Sequence, residues 1–224
     1  MNNKLTFQRD GDVAVITLDD GKANACGFEM LDAINAALDR AEAEARAVAL
    51  LGRPGVLSGG FDLKVINSGD SIAVQRMLNL GVRTLMRLYG HPQPLVTAAT
   101  GHAVALGAFM LLASDYRLGV AGDFKIGLNE TAIGLTLPSF GIELAEARLS
   151  RRHLTQAAIN AQLYAPPQAI DVGFLDETVE PEVIRTRAIK KAQQLTKLDA
   201  VAFAATKRGF RAALIARVLA SLGG

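Results

Sequence analysis

The chain has 224 residues, with 24 Lys and Arg against 22 Asp and Glu; half of it is hydrophobic and 21% is charged. That composition suits one globular domain with a sizeable core and excludes a disordered chain. The sequence pI near 8.8 reflects an excess of only two positive charges, no Lys/Arg run exceeds two, and Trp is absent, so the clustered basic and aromatic footprint of a nucleic-acid binder is missing.

In chain order, residues 5–8 and Val13–Leu18 flank Asp10-Gly11 and read as a hairpin. A loop over 19–26 follows. Met30, Leu31, Ile34, Ala37, Leu38 and Ala41 then recur at helical spacing over 28–45. Strand Ala47–Leu51 leads into a Gly/Pro-rich segment, 52–60, and a second long helix spans 72–89, after the cap candidate Ser71 and before Gly90-His91-Pro92. Strand Leu95–Ala99, Gly101, a buried helix ending near Ala113 and strand Tyr116–Val120 come next. Beyond Pro138 the chain reads as helical, with one strand at 175–179 and closing helices over 181–198 and 200–222. Alternating strands and helices predict an α/β architecture with largely parallel pairing, 1–165, and a helical C-terminal region, 166–224, divided near Ala165-Pro166-Pro167.

Cys26 is the single cysteine, which excludes an internal disulfide and any multi-cysteine metal site and points to a reducing cytoplasm. The polar N-terminus has no apolar core of a secretory signal. The longest apolar stretch, 103–113, is too short to cross a bilayer, so a soluble protein without a membrane partner is expected. His91, His102 and His153 lie far apart and form no HExxH pattern, so no metal site is expected. His102 reads as a packed or surface residue rather than a catalytic one. No GxSxG, GxGxxG or GxxxxGK[ST] motif occurs, and nothing near Cys26 in sequence would lower its thiol pKa.

Two glycine-containing turns stand where a strand gives way to a helix: Val56-Leu57-Ser58-Gly59-Gly60-Phe61-Asp62-Leu63-Lys64 and Gly101-His102-Ala103-Val104-Ala105-Leu106-Gly107-Ala108-Phe109. Small residues there let backbone approach a ligand and expose main-chain N–H groups. Either turn alone is consistent with mere tight packing.

Together they resemble the crotonase superfamily, the enoyl-CoA hydratase/isomerase family. Ser58 to Leu63 is similar to that family's Ser-Ala-Gly-x-Asp-Leu turn, and Gly101 to Asp115 to its Gly-x-Ala-x-Gly-Gly-Gly helix start with a following aspartate. Lys22-Ala23-Asn24-Ala25 resembles the early loop that contacts coenzyme A. The run from Glu130 to Pro138 resembles Glu-x-x-x-Gly-x-x-Pro with one extra residue before the proline, and Ala169 to Leu175 resembles Ala-x-x-x-Gly-Leu-Val. These matches fall in the family's order over nearly the whole chain.

The resemblance implies a spiral of ββα turns, a helical region that mediates oligomerisation as a homotrimer or dimer of trimers, and an acyl-CoA thioester substrate in place of any permanently bound cofactor. It implies an oxyanion hole from the backbone N–H groups of Phe61 and Leu106, and Glu130 as the catalytic acid/base. It places Lys22, Ala23, Ala25, Gly59, Gly60 and Lys64 toward coenzyme A, and Phe109, Leu137 and Pro138 in the acyl pocket. The family's C-terminal region often supplies an aromatic or a lysine to a neighbouring subunit's coenzyme A, a contact not expected from a chain ending Leu222-Gly223-Gly224.

Two departures matter. Ala105 and Leu106 occupy the first two positions of the family's glycine run, and Phe109 stands where hydratases carry the first of two glutamates. Asp62, Asp115 and Asp123 are not aligned to replace that acid, and Glu143 and Glu146 are remote alternatives. A lone Glu130 suits a proton shuttle, hence enoyl-CoA isomerisation. The alternatives are hydration or another crotonase-type reaction with an acid from elsewhere, and a non-catalytic acyl-CoA binding protein.

Overall fold

The computed structural model describes residues 4–223; Met1 to Asn3 and Gly224 lie outside the described residues, and with them the first residues of the polar N-terminus. The hairpin forms as β1 (Leu5–Asp10) and β2 (Val13–Leu18), paired antiparallel around Gly11. From β2 onward every strand pairing inside the two sheets is parallel.

The sequence then runs as three successive turns of strand, strand and helical segment. After α1 (Phe28–Glu44) come β3 (Ala47–Leu51), β4 (Gly55–Ser58), the short α2 (Leu63–Ile66) and α3 (Ser71–Gly90). The next turn is β5 (Leu95–Ala99), β6 (Gly101–Val104) and α4 (Leu106–Leu112). The third is β7 (Tyr116–Val120), β8 (Ile126–Gly127) and, past a 3-10 turn at Thr131–Ile133, α5 (Ser139–Arg148). A π-helical turn (Thr155–Ile159), α6 (Pro166–Val172), β9 (Glu177–Val179), α7 (Ile184–Leu195) and α8 (Ala200–Ala220) complete the chain. One strand of each turn enters a six-stranded sheet, ordered β1-β2-β3-β5-β7-β9, and the other enters a three-stranded sheet, ordered β4-β6-β8. This is the spiral expected of the ββα pattern.

Segment 52–60 and the start of the supposed helix at Gly101 therefore hold strands, β4 and β6, that sequence periodicity does not reveal. Four residues are too few to establish a period, and the glycines that mark a loop in sequence mark the sharp passage between sheets in space. At Gly101 a Cβ would lie 1.9 Å from the Gly55 carbonyl carbon, so only glycine fits where the second sheet begins.

The inner strands of the large sheet, β2, β3, β5 and β7, are buried on both faces, which is why they read as largely apolar runs. Alternate residues Ile16, Leu18, Val48, Leu50 and Leu95 face a core shared with α1, α3 and α4. Val15, Ala49, Leu51, Val96 and Leu118 face a second core against Ile184, Ala188 and Ala192 of α7. The chain beyond residue 165 thus supplies β9 and the helix that covers one sheet face, so the division near Ala165 is not a boundary between cores.

Most of the apolar excess in the last helix is covered within the chain. Leu214 and Val218 are buried, and Ile215 and Leu219 pack against the core. A buried ionic joint fixes α8 in place. Lys207 Nζ donates to the carbonyls of His91 (2.7 Å) and Gln93 (3.0 Å) and meets Asp115 Oδ2 at 2.5 Å. Arg211 reaches Asp115 Oδ1 at 3.0 Å and the Tyr89 carbonyl at 2.7 Å. Among the described residues, no helix is long and apolar enough to cross a membrane.

His91 makes this joint sensitive to acid. Burial pushes its imidazole down from 6.5 to about 4, although the Glu42 carboxylate 3.5 Å away pulls the other way. The folded state therefore keeps His91 neutral while the unfolded chain protonates, so stability falls as pH drops from 6.5 toward 4. Urea unfolding across that interval should show a steeper loss for the wild type than for His91→Gln; equal slopes would remove His91 from the acid limb.

Candidate active site

The three strands of the small sheet run parallel, so their carboxyl ends lie along one edge. Ser58-Gly59-Gly60-Phe61 leaves β4 at that edge, Ala105-Leu106 leaves β6, and Leu128-Asn129-Glu130 leaves β8. Carboxyl ends of parallel strands are the recurrent ligand position in α/β proteins.

The first turn is clamped to the 19–26 loop. Gly59 N–H donates to the Ala23 carbonyl and Cys26 N–H to the Gly60 carbonyl, both at 2.8 Å. Ser58 Oγ donates to the Asn24 carbonyl and accepts from Gly60 N–H. The bridge between Cys26 and Phe61 runs through the Gly60 carbonyl, leaving the Phe61 N–H out of the pairing. In a turn whose neighbouring amides are satisfied, that is the donor available to a ligand. The Phe61 side chain turns away and sits against Gly81 of α3, where a Cβ would meet ring carbon Cε1 at 2.3 Å.

In the second turn Ala105 N–H donates to the Gly127 carbonyl at 3.1 Å. Leu106 opens α4, so its N–H is the first of the donors that a helix start leaves without an intrahelical acceptor. A Cβ on Gly60 would lie 3.9 Å from Leu106 N and 3.1 Å from the Ala105 methyl; the Phe61 nitrogen is two bonds from the Gly60 Cα. A Cβ on Gly107 would lie 2.4 Å from the Ser58 carbonyl oxygen, so the one glycine of the run that the chain keeps is the one required by close approach. The positive φ falls on Ala105, φ 49° and ψ −121°, while Leu106 is helical. The Leu substitution thus leaves the backbone donor in place, and the strain rests on Ala105.

Glu130 stands at the start of the 3-10 turn, 8% exposed, with Oε2 buried and without a hydrogen-bond partner. Burial raises its pKa above the usual carboxylate value, against the backbone N–H groups of Glu130 and Asn129, which lower it. Among the described residues no other acid is buried with an unpartnered oxygen. Asp62 caps α2, Asp115 serves the α8 joint, Glu143 pairs with Arg217 at 2.7 Å, and Asp123 and Glu146 are exposed.

Phe109 is 1% exposed and stacks edge-on against Phe140, ring centroids 5.1 Å apart. Its Cζ and Leu137 Cδ1 converge on Gly141, lying 2.8 and 3.2 Å from where a Cβ would be, and Pro138 precedes α5 with its carbonyl accepting from Gly141 N–H. These three residues expected in the acyl pocket therefore meet at the start of α5. Ala23, Gly59 and Gly60 adjoin as described, Ala25 is half-buried in the same loop, and Lys22 and Lys64 are exposed.

Cys26 is fully buried, and its thiol is pushed up to about 12 by burial, so it packs as a small apolar residue. His102 is exposed, stacks on Phe124 and accepts from Lys125 N–H. Asn24 is the residue that sequence reading does not single out. Fully buried with φ 51°, it donates from Nδ2 to the carbonyls of Leu18 and Leu57 and accepts from Asp20 N–H, which ties the loop to the first turn. Asn is the non-glycine type most at ease in that conformation, the one signal a sequence offers for it. Two clefts, of about 460 and 660 Å³, open beside α8, and neither is lined by Phe61, Leu106 or Glu130. Among the described residues no group of His, Cys, Asp and Glu could hold a metal.

Replacing Ala105 by glycine should relieve about 1–3 kcal/mol of backbone strain against about 0.4–1 kcal/mol lost to a freer unfolded chain. Urea unfolding of Ala105→Gly should therefore report a gain of about 1 kcal/mol; a loss would show that Ala105 is not strained.

The sequence model of the enoyl-CoA hydratase/isomerase family matches residues 8–221. The crystal structure of an enoyl-CoA hydratase/isomerase family protein from Pseudomonas syringae is 41% identical and superposes with a TM-score of 0.96, over 99% of this chain and 96% of that one. Human mitochondrial enoyl-CoA delta isomerase 1 is 30% identical over 92% of this chain and 70% of its own length. A probable enoyl-CoA hydratase of Bacillus subtilis is 27% identical over 86% of this chain and 74% of its own. Order of motifs, topology and these likenesses agree: the chain belongs to the enoyl-CoA hydratase/isomerase family of enzymes and has the crotonase fold.

Proposed function

We propose that this enzyme moves the double bond of a 3-enoyl-CoA into the 2,3 position, with Glu130 as the single base. The observation that carries the reading is a buried carboxylate with one unpartnered oxygen and, at the α4 position where a second glutamate would stand, the buried ring of Phe109. Glu130 takes a proton from C2 of the acyl chain. The electron pair moves onto the thioester oxygen, where the N–H groups of Phe61 and Leu106 stabilise it, and Glu130 returns the proton to C4. No atom is gained or lost. Fixed donors aimed at the developing enolate need no reorganisation, and one of them is typically worth about 10²–10³ in rate.

Hydration requires one group to activate water and another to position it or deliver a proton, and the apolar ring of Phe109 does neither. A dry wall also protects the enolate from side reactions. The loop of Ala23 and Ala25, the turn of Gly59 and Gly60, and exposed Lys22 and Lys64 would receive coenzyme A. Phe109, Leu137 and Pro138 would line the acyl chain.

Glu130→Gln should lower kcat for a 3-enoyl-CoA by about 10²–10⁴ while the ester still binds in calorimetry; near-native turnover would remove Glu130 from the mechanism. The base acts only when ionised and its pKa is raised, so wild-type activity should climb with pH through a limb above the usual carboxylate range. A limb at the ordinary value would mean that the pocket does not desolvate the acid.

The assembly reading is a trimer, in a cytoplasmic setting. The resemblance of the helical C-terminal region to the family's supports it; most of the apolar side of α8 is covered within the chain, and Val201, 79% exposed, is left for a partner. Light scattering at micromolar concentration should give three times the chain mass; a monomer would refute it.

A further inference from the structure

We propose that the cleft between α8, α5 and the end of α3 is a second binding site, for a small molecule carrying a phosphate monoester on an aromatic body. Its volume of about 460 Å³ falls within the range of small-ligand sites, and it lies apart from the residues assigned above to the acyl-CoA.

The charges lining it do not balance. Arg148, Lys207 and Arg211 face a single carboxylate, Asp115. That carboxylate is already shared by Lys207 at 2.5 Å and Arg211 at 3.0 Å, and Oδ2 also accepts from Leu95 N–H. Arg148 has no acidic partner among the described residues; Nε and Nη2 donate only to the carbonyls of Leu112 and Ser114, at 3.0 and 2.8 Å. Burial, together with the neighbouring guanidinium groups of Arg117 and Arg211, pushes Arg148 down to about 10. The Arg117 charge is itself matched by Asp176. An excess of two positive charges therefore lines a partly buried cleft, where unpaired charge is costly, and a phosphate dianion is its complement.

Donors remain to receive it. Arg148 Nη1 and Arg211 Nε have no protein acceptor among the described residues, and the exposed Thr206 stands at the mouth. Tyr89 and Phe203 hold Arg211 and Lys207 over their rings at 4.4 and 4.9 Å, and the largely exposed Phe210 supplies the free aromatic wall, which selects a ligand with a planar apolar body rather than the bare ion.

Thermal unfolding with inorganic phosphate and with phenyl phosphate, against sodium chloride at matched ionic strength, tests the site. At ten times its dissociation constant each probe should raise the wild-type midpoint by about 3–5 °C, with phenyl phosphate binding about tenfold tighter. Thr206→Glu places a carboxylate in the cleft without touching the α8 joint. That variant should be more stable than the wild type in chloride and should lose the phosphate response. Equal responses in the two proteins, or none beyond chloride, would overturn the proposal. Thr206→Glu should leave KM for the enoyl-CoA unchanged; a tenfold rise would mean that the cleft holds a phosphate of the substrate's own coenzyme A, which overturns a separate site.

Discussion

Gly107 lies so close to the Ser58 carbonyl that any side chain there would collide with it, and the arrangement of the site depends on that approach. Because α4 can start directly against the first turn, Leu106 N–H is held beside the Gly60–Phe61 peptide. The small sheet supplies the rest of the frame. Its middle strand, β6, carries Leu106, and its outer strands deliver Phe61 on one side and Glu130 on the other. Two donors and an acid thus arise from backbone connectivity that shifts little with side-chain identity. Leucine at position 106 therefore leaves its N–H at the start of α4. The conformational cost moves one residue back, to Ala105, and stays local.

Electrostatics divides the molecule into two regions with opposite solutions. At the α8 joint, the buried charges share partners: Asp115 holds Lys207 and Arg211, and backbone carbonyls take further donors from both. At the small sheet, Glu130 is left with one oxygen free. A buried carboxylate in that condition opposes folding at neutral pH, since its raised pKa means that the native state favours the protonated form. Retaining such a group is a stability loss that a catalytic role would explain.

Much of this is legible in the residues alone, and the limits have physical causes. Long amphipathic helices announce themselves by period, and α1 and α3 fall within one or two residues of expectation. The large sheet is legible as apolar runs. The small sheet is not: β4, β6 and β8 are four, four and two residues long, and their partners are set by the spiral rather than by local pattern. The ordered motifs locate Phe61, Leu106 and Glu130 without it, but not that they share one sheet edge. Asn24 stays hidden in the sequence because its importance lies in three hydrogen bonds across the chain. The closing helix looks more available for partners than it is because α3 covers much of its apolar side.

A label-transfer measurement tests the single-base account most directly. A 3-enoyl-CoA carrying deuterium at both C2 positions is converted in ordinary water in a single turnover, and the product is analysed by mass and by position of label. A lone Glu130 carboxyl in a dry pocket should return some of the abstracted deuterium to C4, giving 2-enoyl-CoA that retains both labels in a measurable fraction. Complete loss of the migrating deuterium to solvent, or accumulation of a 3-hydroxyacyl-CoA, would contradict it.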